Sequence, residues 1–430
     1  MIRTGLLWPG REIDEEALSA ADIAGNDSVN DFGTGPWLHF EDLVGPVPSA
    51  GKRLPSNREC LLPTVWDISV SRTRARPADV DSAAGVSSCL RSAWGTREVG
   101  LLDTVWSSEL SATDGEAYDR FVATARGGHF SQTRAWAKVA TAAKPFDARC
   151  FLARRDGRVA GAALILRTQA FGLMALPFAQ VERGPVCDDP EQMPDVLGAL
   201  LEQSRRHGIV RISVMPYWAG EAKPRVERLL KQRGFADVQS FRGRHARSLR
   251  LDLASLPADD PFAGSALAQV RHEIRRAERA GATARRGQEP DFIAFREMHK
   301  QLLRLEGKQP RAAVWYEALA EYYLPCEERG AMFVCEHEGN VVSAIFVARH
   351  GALATYVMGA SSASELRFPK MVLPMANAIT WAKENGVEVL DLGGIPMEGD
   401  RDAKRASIAH FKRGFSRTEI TFVHEHVRWF

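Results

Sequence analysis

Near its end the chain reads "HFKRGFSRTEI" (410–420), which sets Lys412 beside Phe411 and three residues before Phe415. A cation held among apolar groups can meet the negative charge that grows on a carbonyl oxygen during acyl transfer. A fixed donor at such an oxygen commonly contributes about 3 kcal/mol. A lysine adds three donors on a flexible stem, so it can follow the oxygen as geometry changes. The ordinary alternative is a strand-edge lysine that discourages sheet pairing. The segment reads as a strand, and alternation then puts His410 on the face of Lys412, which makes it an acid/base candidate. Asp391, ending the strand "VEVLDLGG", is a carboxylate placed to orient a neighbour or bind an amine.

Other cations are spaced for phosphate. In "QVRHEIRRAERAG", Arg271, Arg275 and Arg279 recur at i, i+4 and i+8 and line one helix face, with Val270, Ile274 and Ala277 on another. Guanidinium groups bind phosphate bidentately, as a nucleic-acid backbone or a pyrophosphate requires. Arg242, Arg244 and Arg247 lie upstream, Arg285 and Arg286 downstream. A solvated helix face is the alternative. "GDRDAKRASIAHFKRGF" adds Lys404, Arg405 and Arg413 close to Lys412, after a glycine-rich stretch suited to a gating loop or to simple turns.

These residues need a scaffold, and 430 residues exceed what one core usually supports, so two or more domains are expected. A net charge of +2 leaves any nucleic-acid case to local clustering. Six scattered cysteines with no Cys-x-x-Cys pair argue against a zinc site and a disulfide scaffold, and favour a reduced, cytoplasmic setting. The glycine-, proline- and serine-rich residues 1–98 read as a mostly disordered extension. From Leu101 the pattern becomes regular: helices, a hairpin with an Asp-Gly turn in "ARCFLARRDGRVAGAALILRTQ", a helix and buried strands. The same order returns in the second half, with a Glu-Gly-Asn turn in its meander. Two copies of a mixed α/β unit are the economical reading.

Six segments together resemble the Fem family of peptidoglycan-bridge aminoacyltransferases: "FSQTRAWAKV" (130–139), "ERGPVCDD" (182–189), "VRHEIRRAERAGATA" (270–284), "YVMGASS" (356–362), "ITWAKENGVEVLDLGGI" (379–395) and "HFKRGF" (410–415). The resemblance implies an α/β (α+β) fold of two tandem GNAT-like units with mixed sheets flanked by helices. Residues 99–255 would form the first unit, completed by about 418–430, and 256–417 the second. It implies transfer of an amino acid from aminoacyl-tRNA, a co-substrate rather than a cofactor, to an amine on the peptide stem of a nucleotide- or lipid-linked muropeptide. Peripheral contact with the inner membrane face would accompany a lipid-linked precursor. Under it Lys412 is the oxyanion's cation. Lys308 and Arg311 in "LEGKQPRAAVWYEAL", with Lys138, meet the precursor's phosphates, while Tyr356 and Phe411 border the substrate. Tyr356 is otherwise a core residue with its hydroxyl at the rim, and Lys308 and Arg311 ordinary loop cations. Two other functions compete: an acyl-CoA N-acyltransferase, against which stands the absence of an Arg/Gln-x-x-Gly-x-Gly/Ala loop, and a non-catalytic RNA- or envelope-binding protein.

Overall fold

The computed structural model describes residues 102–430 except 144–145, 171–173, 239–245, 258, 265–266, 365, 398 and 401. The extension read over 1–98, and Arg242 and Arg244, lie outside the described residues.

The first half runs β1 (Asp103–Ser107), α1 (Ala112–Thr124), α2 (Arg134–Ala142), β2 (Phe146–Arg155), β3 (Arg158–Ala170), β4 (Met174–Val181), α3 (Met193–Arg206), β5 (Arg211–Val214), α4 (Ala222–Gln232) and β6 (Ala236–Asp237). The second runs β7 (Arg247–Asp252), α5 (Ala268–Arg279), β8 (Thr283–Arg286), α6 (Glu289–Leu305), α7 (Ala313–Tyr323), β9 (Gly330–His337), β10 (Asn340–His350), β11 (Leu353–Ser361), α8 (Val372–Glu384), β12 (Val389–Gly394), α9 (Ala403–Phe415), β13 (Thr418–Thr421) and β14 (His426–Trp429).

Local chemistry sets the boundaries. Ser111 caps α1 by accepting from the Asp114 amide, and Tyr118 and Val122 on its inner face are buried. Both hairpin turns place two successive residues at positive φ, Asp156–Gly157 and Glu338–Gly339, the conformation that matches the strands' twist.

The strands form two seven-stranded sheets, ordered β1-β2-β3-β4-β5-β14-β6 and β13-β7-β12-β11-β10-β9-β8. In each, an antiparallel meander is followed by a helix and a parallel partner: β4 with β5 in the first, β11 with β12 in the second. The repeat read in the sequence is therefore an architectural one. The halves also interlock. β7 already belongs to the second sheet, and β14 crosses back between β5 and β6. The sheet change thus falls before Arg247 rather than after residue 255, and only β14 of the last segment joins the first sheet, because β13 pairs with β7.

One buried cluster draws on both sheets, including Leu152 and Leu164 from the first and Val334 and Phe346 from the second. Trp136 of α2 meets Tyr323 of α7 edge-on, with ring centroids 6.4 Å apart. Burying a large apolar side chain is worth roughly 1.5–3 kcal/mol, so this shared core holds the halves in fixed register. Among the described residues no helix is long and apolar enough to cross a membrane.

Candidate active site

α9 decides where Lys412 points. Asp402 caps it by accepting from the Arg405 amide, and its inner stripe is Ile408, Ala409, Lys412 and Phe415. Positions 408, 412 and 415 follow the i, i+4, i+7 rule of an apolar face, so a lysine occupies a core slot. Lys412 is 0% exposed. Its ammonium donates to the Gly394 carbonyl at 2.6 Å and lies 6.0 Å from the Tyr356 ring centre. Burial pulls its pKa down to about 7, against the opposing pull of the Asp391 charge.

The segment is a helix, not a strand, and this corrects the place of His410. Two residues along a helix are about 200° apart, so His410 and Lys412 face opposite ways. His410 is exposed, while Phe411 packs half-buried against Phe415 at 5.2 Å.

Asp391, buried on β12, is held by three donors: the Tyr217 hydroxyl at 2.5 Å, the Ser248 hydroxyl, and the Gly393 amide at 2.8 Å. Arg250 Nε stands 3.8 Å from it. Tyr217 belongs to the first half, just after β5, so the Tyr217–Asp391 bond joins the two units. Burial, then the Asp391 charge, push the Tyr217 phenol well above its ordinary range, which keeps it a donor.

Around that bond sits a stack. Tyr217 and Phe422 lie face to face at 4.4 Å. Arg183 is 5.3 Å from the first ring and 4.9 Å from the second, and Arg250 is 5.1 and 4.9 Å away. His129 meets Tyr217 at 4.6 Å. Burial lowers the Arg183 guanidinium's pKa, and the residue takes φ +54°, a left-handed conformation that costs a side chain roughly 1–2 kcal/mol. Two guanidiniums, a carboxylate and an ammonium thus meet at the junction of the sheets. Such an arrangement can hold an ester or an amine out of water and stabilise an oxyanion.

The remaining sequence candidates fall elsewhere. Tyr356 is fully buried on β11 beside Lys412, and a Cβ on Gly359 would run into its hydroxyl. Lys308 pairs with Glu306 at 2.8 Å, and Lys404 from α9 reaches the same carboxylate. Arg311, buried in the same α6–α7 connection, lies over the Trp315 ring at 4.4 Å. Lys138 is exposed on α2. Arg405 is engaged by Asp400 and Asp402, and Arg413 by Glu419. On α5, Arg271 donates to the Phe262 and Ala263 carbonyls, Arg279 to its own helix at Arg275, and Arg275 is exposed. Arg271 therefore pins a loop, and the stripe does not converge on the buried cluster.

Sequence reasoning missed Arg183, Tyr217, Ser248, Arg250 and Phe422. The legible signals were an arginine between leucines in "SLRLDL" and another before Gly-Pro in "ERGPV".

Comparison with known proteins agrees with this architecture. Residues 113–233 match the FemAB family, and residues 264–413 match an acetyltransferase (GNAT) domain. No curated protein matches the chain in sequence. Among solved structures, FemX superposes with a TM-score of 0.63 at 17% identity, over 76% of this chain and 97% of that one. The C-terminal domain of a putative lysylphosphatidylglycerol synthetase from Agrobacterium fabrum gives 0.50 at 17% identity, over 75% and 92%. At these identities the likeness is one of fold. The chain is therefore an acyltransferase of tandem-GNAT fold, its first unit similar to the FemAB family and its second to an acetyltransferase (GNAT) domain.

Proposed function

We propose that the protein moves an amino acid from aminoacyl-tRNA to an amine on the peptide stem of a peptidoglycan precursor, with no cofactor beyond the charged tRNA. The observation that carries this reading is the buried ammonium of Lys412, seated among carbonyl, carboxylate and aromatic groups where the two units meet. The FemAB match of the first unit supports the choice of donor and acceptor class.

The acceptor nitrogen attacks the ester carbon, and the carbonyl electron pair moves onto oxygen. Lys412 donates to that oxyanion. As the intermediate collapses, the bond from carbon to the ribose oxygen breaks. The ribose oxygen takes a proton and the new amide nitrogen loses one. A lysine with a pKa near 7 can give the first proton and regain the second, so the balance closes without another group. Asp391, fixed by Tyr217 and Ser248, keeps the ammonium's counter-charge in place. Arg311, Lys308 and Lys404 border the α6–α7 connection, a place for the precursor's phosphates.

The test is transfer of a labelled amino acid from a panel of charged tRNAs to nucleotide-linked and lipid-linked muropeptides. Transfer lost in Lys412→Met supports the reading. Release of free thiol from an acyl-CoA on adding an amine, with charged tRNA inert, would replace the donor with coenzyme A.

A further inference from the structure

Several charges on α6 and α9 are answered close by in sequence. On α6, Arg296 and Lys300 both pair with Glu297. On α9, Arg405 pairs with Asp400 and Asp402. Glu306 departs from this pattern. Its carboxylate takes the Lys308 ammonium on one oxygen at 2.8 Å and the Lys404 ammonium on the other, across 98 positions of the chain. The Glu306 side chain is 12% exposed. One carboxylate therefore holds two lysines together and ties the start of α9 to the α6–α7 connection.

Neither Glu306 nor Lys404 stands where its helix favours it. Glu306 is the C-cap of α6, the end whose free carbonyls disfavour an anion. Lys404 lies in the first turn of α9, the end whose free amides disfavour a cation. Helix stability thus accounts for neither charge. What the arrangement does offer is two ammonium groups spaced by the width of one small anion, with a carboxylate in the anion's place. A phosphate presents the same kind of oxygen edge with more charge, and it can engage both lysines at once.

We infer that this is an exchange site for the diphosphate of the acceptor, and that Glu306 is the residue that sets its affinity. The carboxylate is a resident stand-in: it keeps Lys308 and Lys404 poised and yields them when the acceptor's phosphates arrive. The exchange costs every incoming anion the same contacts. A single weak charge does not overcome that cost, whereas two linked phosphates keep both lysines engaged and add oxygens of their own. The inference rests on the proposed acceptor, since a diphosphate is what nucleotide-linked and lipid-linked muropeptides share. Lys404 lies two turns before Lys412 on one helix, about 12 Å along its axis, so phosphates seated here fix the acceptor at a set distance from the buried ammonium.

The experiment is isothermal titration of the full chain with inorganic pyrophosphate, then competition by nucleotide-linked and lipid-linked muropeptides, then steady-state transfer. Glu306→Gln should bind pyrophosphate about tenfold tighter, one competing charge-assisted contact having gone. It should lower KM for the acceptor to match, with kcat within about twofold. Lys404→Gln should bind pyrophosphate about tenfold more weakly, the loss of one such contact. Thermal melts of each variant separate lost contact from lost fold. A merely structural ion pair would lower stability in both variants and leave pyrophosphate affinity alone, and that result overturns the inference. Weaker binding in Glu306→Gln overturns it as well. Competition by either muropeptide supports the site and names the source of its phosphates; competition by neither overturns it. Pyrophosphate affinity that responds to both substitutions, with no transfer from any charged tRNA, sinks the proposed function alone. Transfer with one and the same acceptor KM in the natural protein and both variants sinks the exchange site alone.

Discussion

α5 and α9 touch in the second unit, and both are rich in basic residues, yet they hold their cations under opposite conditions. On α5 the arginines look outward or tie down nearby carbonyls. On α9 a lysine takes the place a leucine would fill. An exposed arginine costs the fold little, so its presence says little about function. A buried ammonium costs several kcal/mol in desolvation, and only part returns through Gly394 and Asp391. A position that destabilises the fold in this way is a stronger pointer to chemistry than a stripe of surface charge.

The sharpest way to break the comparison is Lys412→Met, which keeps the length of the stem and removes the charge. Transfer should fall about 10²- to 10³-fold, the usual loss of an oxyanion donor. Stability should not fall with it. The lysine's folded pKa of about 7 lies below its ordinary 10.5, so between those values the unfolded chain binds the extra proton. Stability tied to this group therefore rises from pH 7 upward, and the full penalty is present below pH 7. Thermal melts should show the methionine variant more stable than the natural protein at pH 6, with the gap closing toward pH 10. A variant less stable at pH 6 would mean that the ammonium is well solvated after all.

The second test concerns the bond that joins the units. Tyr217→Phe removes one of three donors to Asp391 and leaves the ring stack with Phe422 in place. Asp391 keeps Ser248 and Gly393. One such bond is worth about 1 kcal/mol, so transfer should slow roughly fivefold with little change in KM. A loss as large as that of Lys412→Met would move Tyr217 from positioning into the chemistry itself.

These two residues also mark what the sequence could and could not reveal. The repeated order of hairpin, helix and strand was legible because the Asp-Gly and Glu-Gly turns and the helix periods are local signals. Lys412 was legible as a cation among aromatic residues. Its helix was not, since "HFKRGF" read alone alternates as readily as it winds, and the preceding "DRDAKRASIA" supplies the stripe only when Ile408 is counted with Lys412 and Phe415. That error moved His410 to the wrong face. Tyr217, Arg183 and Phe422 were out of reach for another reason. They meet only through the fold: Tyr217 bonds Asp391 across 174 residues and stacks on Phe422, 205 positions along the chain. No spacing rule carries information over that distance.

The smallest expected effects complete the contrast. His410→Ala, on the outer face of α9, should leave transfer within about twofold and stability within about 0.5 kcal/mol, as for other exposed positions. Arg275→Glu on α5 should be as mild toward folding, because that side chain is exposed and in no described ion pair. The two differ in what salt reveals. If α5 contributes to the charge field that draws in a polyanion, Arg275→Glu raises KM for charged tRNA at low salt, and the difference fades near physiological ionic strength, where the screening length is about 8 Å. His410→Ala shows no such dependence. A salt-independent loss in Arg275→Glu would instead place this arginine in direct contact with the bound substrate, and α5 would then work beside α9 rather than stand as its foil.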